Sequence, residues 1–245
     1  HTERMLSALG VKVKTEGDTI TLTPGNTLKA VDFTVPGDAS SAAFLLVAGL
    51  IIPGSDITLT NINLNPTRTG IIDVLMEMGG DLTVTETGLA AGEPVGSIRV
   101  RHSTLKGVHV GGDTVVRMID EFPILMVAAL AAEGETVVRD AQELRVKETD
   151  RLAVMTGELR KMGAQIKETE DGFIINGPQT LRGAEVYGHD DHRLSMSLAV
   201  AGLVADGPTR VLDAECAADS FPGYAETLQS IGADITVHDL APQTS

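Results

Sequence analysis

One layout recurs three times along the chain, and it limits the folds open to it. Asp38 precedes SSAAFLLVAGLIIPGSDITL, Asp120 precedes EFPILMVAALAAEGETVV, and Asp191 precedes HRLSMSLAVAGLVADGPTRV. Each time an acidic residue leads into a helix-length run rich in Ala, Leu and Val. A glycine at 54, 134 or 207 ends the run, and a short β-rich stretch follows. A second segment also recurs, as RTGIIDVLMEMGGDLTV, DRLAVMTGELRKMGAQIKE and PGYAETLQSIGADITV. It reads as an amphipathic helix closed by Gly79, Gly163 or Gly232, then a strand. The opening TERMLSALGVKVK is a fourth copy of this second segment with no first helix before it. Residues 1–35 are therefore expected to finish a unit that starts outside this chain.

Each full unit reads as strand, helix, strand, helix, strand, strand. The first helix of a unit is apolar nearly all round, which predicts burial on every side rather than one covered face. At about 12–15 residues these runs are too short for a bilayer, which needs about 20. The predicted architecture is α+β, with three buried helices side by side, amphipathic helices beside them and sheets outside. A doubly wound α/β domain would instead need amphipathic helices over apolar strands. The strands here, such as DITLTNINL and IRVRHSTLKGVHV, alternate as half-exposed strands do.

Charge narrows the function classes. Asp and Glu outnumber Lys and Arg by 34 to 19, and broad nucleic-acid binding or docking on anionic membranes needs the opposite surface. Cys216 is the single cysteine; it excludes an internal disulfide, fits a reducing, cytoplasmic compartment, and sits among small residues as a packing group. The first residues carry neither a basic n-region nor an apolar h-region, so no secretory signal is expected in them.

The chemistry follows from the helix starts. If the three buried helices run the same way, their N-termini gather at one end, where unpaired N–H groups and partial positive charge form an anion site. Capping alone explains Asp38. Asp120 and Asp191 stand beside further polar residues, in IDEFP and HDDHR. Arg193 falls in the first turn of a buried helix, where a cation opposes the dipole and an anionic ligand is the better reason for it. The stretch RVKETDR, residues 145–151, concentrates three cations in a chain of net charge -15. A helix starting near Lys147 would put Lys147 and Arg151 on one face with Glu148 adjacent.

The elements PGDASSAAF, NPTRTG, STLKG, MIDEFPIL, LRVKETDR, HDDHR and SFPGY occur in this order between residues 36 and 224, within a likeness that runs from His1 to about Val237. In them the chain resembles the C-terminal half of the 5-enolpyruvylshikimate-3-phosphate (EPSP) synthases, an enolpyruvyl transferase family, and especially their class II branch. The resemblance implies a fold of two domains, each holding three βαβαββ units around parallel helices. Residues 1–35 would then close the first domain and residues 36–245 form the second. It implies transfer of an enolpyruvyl group from phosphoenolpyruvate to the 5-hydroxyl of shikimate 3-phosphate, with no metal and no cofactor. The partners implied are these two substrates and the N-terminal half, in an enzyme that is a monomer when complete.

By the same resemblance Asp120 is the base that binds and deprotonates the acceptor hydroxyl, and Lys147 contacts the shikimate phosphate. Glu148 matches the carboxylate that moves a proton at the methylene carbon of phosphoenolpyruvate, and Arg151 and Arg193 match the arginines that clamp that molecule. Two planar forks suit a carboxylate and a phosphate. His192 is expected to orient its neighbours and His189 to be a loop residue; the cluster of His189, Asp190, Asp191 and His192 is not expected to hold a metal. Asp219 replaces a class I lysine and marks the subclass. Glu143 stands where class I has an asparagine on the shikimate phosphate. The alternatives are the UDP-N-acetylglucosamine enolpyruvyl transferase, an RNA cyclase of similar units, and a binding module of the same fold.

Overall fold

The computed structural model describes residues 1–238. The chain opens with α1 (Thr2–Ala8) and the antiparallel hairpin β1 (Val13–Glu16) and β2 (Thr19–Leu22), then runs without regular structure to Gly37. This is the helix-then-hairpin pattern expected of a unit's second half, and Gly10 turns it at φ 88°.

The first apolar run forms α2 (Ala39–Ile51), capped by the Asp38 carboxylate, which accepts from Ser41 N–H at 2.9 Å. It leads into β3 (Asp56–Asn63), then α3 (Gly70–Glu77), and then the hairpin β4 (Asp81–Ala90) and β5 (Glu93–Arg101). The second unit follows: β6 (His109–Val110), the short α4 (Asp113–Arg117), α5 (Phe122–Ala131), β7 (Gly134–Val138), α6 (Arg151–Lys161), β8 (Ile166–Thr169) and β9 (Gly172–Gly177). The third has β10 (Glu185–Tyr187), α7 (His192–Leu203), β11 (Arg210–Leu212) and α8 (Tyr224–Ser230).

One pairing rule runs through the units. The leading strand lies parallel to the strand that follows the buried helix, as the Gly37–Ile62 bridge, as β6 on β7 and as β10 on β11. In the first two units the latter strand also pairs antiparallel with the far strand of the hairpin, giving sheet orders β3-β5-β4 and β6-β7-β9-β8. The third unit departs from the expectation. The predicted strand ADITV after Gly232 does not form, because residues 233–238 meet no partner strand among the described residues. The residues that would have to turn back on it, 239–245, lie outside the described part, as does the end of the expected 36–245 domain.

The helices α2, α5 and α7 pack against one another in all three pairs. From Phe122 to Leu130 every residue of α5 is buried, as the all-apolar sequence predicts, and the sheets lie outside this trio. No helix among the described residues is long and apolar enough to cross a membrane.

Candidate active site

Because their N-terminal residues meet, the three buried helices point the same way. Arg68, carried on the turn before α3, donates from Nη2 to Ser40 Oγ in α2 at 2.8 Å and to Asp120 Oδ2 ahead of α5 at 3.1 Å. Arg193, the second residue of α7, brings Nη2 to 3.5 Å from the same Asp120 oxygen. Arg151, the first residue of α6, reaches Asp120 Oδ1 with Nη1 at 3.3 Å. Three guanidiniums thus converge on one carboxylate at the helix N-termini.

Each is held there by local structure. Asn65, buried, accepts from Thr67 N–H at 3.0 Å, and its own carbonyl accepts from Arg68 N–H at 2.8 Å, which closes the NPTR turn. Arg117 pins that turn from outside by donating to the Pro66 carbonyl at 2.7 Å. Gly70 permits the approach, since a Cβ there would lie 2.9 Å from Arg117 Cβ. Arg151 is only 1% exposed, and a cation at the first position of a helix is opposed by the dipole. Its charge is met by Asp191, which is fully buried, through Nε at 2.9 Å, and by the Glu148 carboxylate through Nη2. Asp191 does double duty, because Oδ1 caps α7 by accepting from Arg193 N–H at 3.0 Å. Thr149 adds a hydroxyl donor to Asp191 Oδ2 at 3.2 Å.

The electrostatics follow. Burial would push Asp120 up, but Arg193, Arg68 and Arg151 together hold its carboxyl below the usual carboxylate range. Burial pushes the neighbouring Glu121 up, against the weaker downward pulls of the Ser40 hydroxyl, Arg68 and Arg193. Burial also lowers His192, and Arg193 beside it adds to the effect, so the imidazole is neutral at neutral pH.

Asp120, Glu148, Arg151 and Arg193 are therefore brought together as expected. Lys147 is not. The helix expected near Lys147 starts instead at Arg151, because Asp150 is the residue that caps it, accepting from Ala153 N–H at 3.0 Å. Residues 142–146 form a separate 3₁₀ turn that ends at Lys147, and Lys147 Nζ pairs with Glu143 at 2.8 Å rather than with Asp120 or Glu148. His192 is half-buried and its imidazole forms no hydrogen bond among the described residues, so the ring orients nothing by that means. His189 sits in the loop at φ 56° and bonds Glu158 at 2.8 Å, while Asp219 is exposed on a 3₁₀ turn. Cys216 is buried, as a packing residue should be. Sequence reasoning gave no role to Arg68, Ser40 or Glu121 and left Asp191 without its ion pair. The available signal for Arg68 was a lone arginine between a Pro turn and a helix start.

The EPSP synthase family model, described as 3-phosphoshikimate 1-carboxyvinyltransferase, matches residues 1–228. The chain belongs to the EPSP synthase family. A 3-phosphoshikimate 1-carboxyvinyltransferase from Bacillus thuringiensis (strain Al Hakam) is 52% identical over 94% of this chain and 54% of its own length. One from Thermoanaerobacter sp. (strain X514) is 49% identical over 94% of this chain and 55% of its own. The solved EPSP synthase from Acinetobacter baumannii superposes with TM-score 0.92 at 46% identity, over 95% of this chain and 54% of that one. The enolpyruvyl transferase NikO from Streptomyces tendae, at 20% identity and TM-score 0.72, shares the fold, covering 94% of this chain and 51% of its own. The chain spans about half the length of these EPSP synthase family relatives.

Proposed function

We propose that this chain supplies one side of the active site of a 3-phosphoshikimate 1-carboxyvinyltransferase, whose other side comes from an N-terminal half. The observation that carries the reading is the set of three guanidiniums around Asp120 at the gathered helix N-termini, a site built for anions. On this reading residues 1–35 close a first domain and the chain from residue 36 onward forms the second. The setting is cytoplasmic and the complete enzyme a monomer.

The cations rest on the protein's own carboxylates: Arg151 on Asp191, Asp120 and Glu148, Arg193 on Asp120, and Lys147 on Glu143. Phosphoenolpyruvate would take Arg151 and Arg193 by two-pronged contacts, and the shikimate phosphate would draw Lys147 off Glu143. Withdrawing the arginines from Asp120 raises its affinity for a proton, so arrival of the anions readies it to take the proton of the acceptor hydroxyl. The hydroxyl oxygen bonds to the enol carbon of phosphoenolpyruvate as its proton passes to Asp120, and Glu148 in its protonated form gives the methylene carbon a proton; when the C–O bond to phosphate breaks, Glu148 takes one proton back from that carbon and the proton on Asp120 leaves with the phosphate. The half-exposed Glu148 side chain, held by Arg151, supports this reading.

The experiment is phosphate release from phosphoenolpyruvate and shikimate 3-phosphate, with this chain alone and then with an N-terminal half from a relative. Turnover only with both is expected; robust turnover by the chain alone would overturn the shared site. Heat of binding with a UDP-sugar acceptor and none with shikimate 3-phosphate would move the assignment to the UDP-N-acetylglucosamine enzyme.

A further inference from the structure

Glu121 is a buried acid with no partner at hydrogen-bond distance among the described residues. Its side chain is 1% exposed, and neither carboxyl oxygen makes a hydrogen bond. It stands at the capping position of α5 without capping it. Enclosed carboxyls almost always find a donor, so this one needs a reason. The groups facing it are Ser40 of α2, Arg68 from the turn before α3, Arg193 of α7 and its neighbour Asp120. The closest cation is Arg68, whose Nη2 lies 3.8 Å from Glu121 Oε1. That same nitrogen serves Ser40 and Asp120 at 2.8 and 3.1 Å. A shift of about 1 Å would bring it to ordinary hydrogen-bond distance from Glu121.

We propose that Asp120 and Glu121 share one proton, and that Arg68 moves with it, seated on whichever of the two is ionised. Glu121 is then a positioning residue that acts through Arg68. The contacts seen place Arg68 on Asp120 at 3.1 Å; in this arrangement of the proposal Asp120 is ionised and Glu121 keeps the proton, the direction in which burial pushes it. In the other, Asp120 carries the proton and Arg68 forms an ion pair with ionised Glu121. The only bonds that change are one O–H broken and one O–H made, with water as carrier. Arg151 and Arg193 face Asp120 in both. Two acids coupled in this way titrate as a pair rather than singly. The consequence for the proposed reaction, which rests on Asp120 being its base, is that Glu121 keeps Asp120 able to hold a proton despite the arginines around it.

The test needs no turnover and so stands apart from that reading. Side-chain carboxyls of this chain, labelled with ¹³C at Asp and Glu, are titrated by NMR, with thermal unfolding followed in parallel. In Glu121→Gln, Arg68 has one ionisable seat left, so Asp120 should titrate in a single step at lower pH, its proton affinity down about 3-fold or more. In an Arg68→Gln background the same change should move Asp120 by less than half as much. Glu121→Asp, an acid shortened by one methylene, replaces Glu121→Gln if that variant does not fold, and should shift Asp120 the same way. An Asp120 titration that stays where it was, or a shift that survives in the Arg68→Gln background, overturns the proposal. A fully active Asp120→Asn enzyme would remove Asp120 as base and leave the titration to decide the shared proton.

Discussion

Replacing Asp191 by alanine tests whether the site and the core are one structure. Asp191 accepts from Arg151 Nε at 2.9 Å, from Thr149 Oγ1 at 3.2 Å and from the N–H groups of Arg193 and Leu194 at 3.0 and 3.4 Å. Breaking a buried ion pair on one side costs about 3–5 kcal/mol, because the remaining charge stays buried. Loss of the α7 cap adds about 1 kcal/mol. Asp120 and Glu148 still face Arg151 and offset part of the first figure, so a total of about 3–5 kcal/mol is expected. For a chain of this size that corresponds to a fall of about 6–20 °C in Tm. Urea unfolding of this chain followed by circular dichroism reads it. Adding Arg151→Met to Asp191→Ala should recover part of the loss, since an apolar side chain suits an enclosed site better than an unpaired cation. A loss below about 1 kcal/mol, or no recovery in the double variant, would mean that Asp120 and Glu148 satisfy Arg151 without Asp191.

Asp120→Asn and Glu148→Gln, assayed with an N-terminal half present, should each lower turnover by about 10²-fold to 10⁴-fold while leaving the far-ultraviolet spectrum unchanged; near-normal turnover in either would remove its role. Arg193→Lys keeps the charge but not the planar fork, so the KM for phosphoenolpyruvate should rise, and an unchanged KM would make Arg193 a local partner of Asp120 only. Burial works against the Glu158 carboxylate, but hydrogen bonds from His189, Lys161 and the Tyr187 N–H hold it below the usual carboxylate range. A carboxyl lowered in the folded state stabilises above its unfolded value, and that contribution is lost as pH falls through the folded one. Glu158→Gln should therefore flatten the acid limb of stability against pH, and an unchanged limb would show that the bonds do not matter.

The repeat was legible because its signals are local. An all-apolar helical run between an acid and a glycine states its own burial, and the closing glycines at 54, 134 and 207 all take positive φ. The missing strand after Gly232 shows the limit of local signals. Its alternation is right, but a strand exists only where a neighbour supplies hydrogen bonds, and pairing is not written in the segment itself. The start of α6 was misread although its signal was present: Asp150 directly before RLAV is a better cap than anything near Lys147. That error placed Lys147 on a face it does not occupy. The interior of the site was least legible, since Arg68 and Asp120 meet across 52 positions and Arg151 and Asp191 across 40. Which cation faces which carboxylate depends on how three units dock.

A helix that is greasy on every side has no preferred direction to face. Any roll of α5 about its own axis leaves its buried surface nearly the same in chemistry, so hydrophobic burial alone cannot set its orientation. What distinguishes one roll angle from another is the polar tip, where Asp120 must meet Arg68, Arg151 and Arg193, as Asp191 must meet Arg151 at the tip of α7. The ionic cluster read above as a place for chemistry is thus also the keyway that indexes the core. Selection for catalysis and selection for a single native packing would act on the same few side chains, and neither could drift without the other.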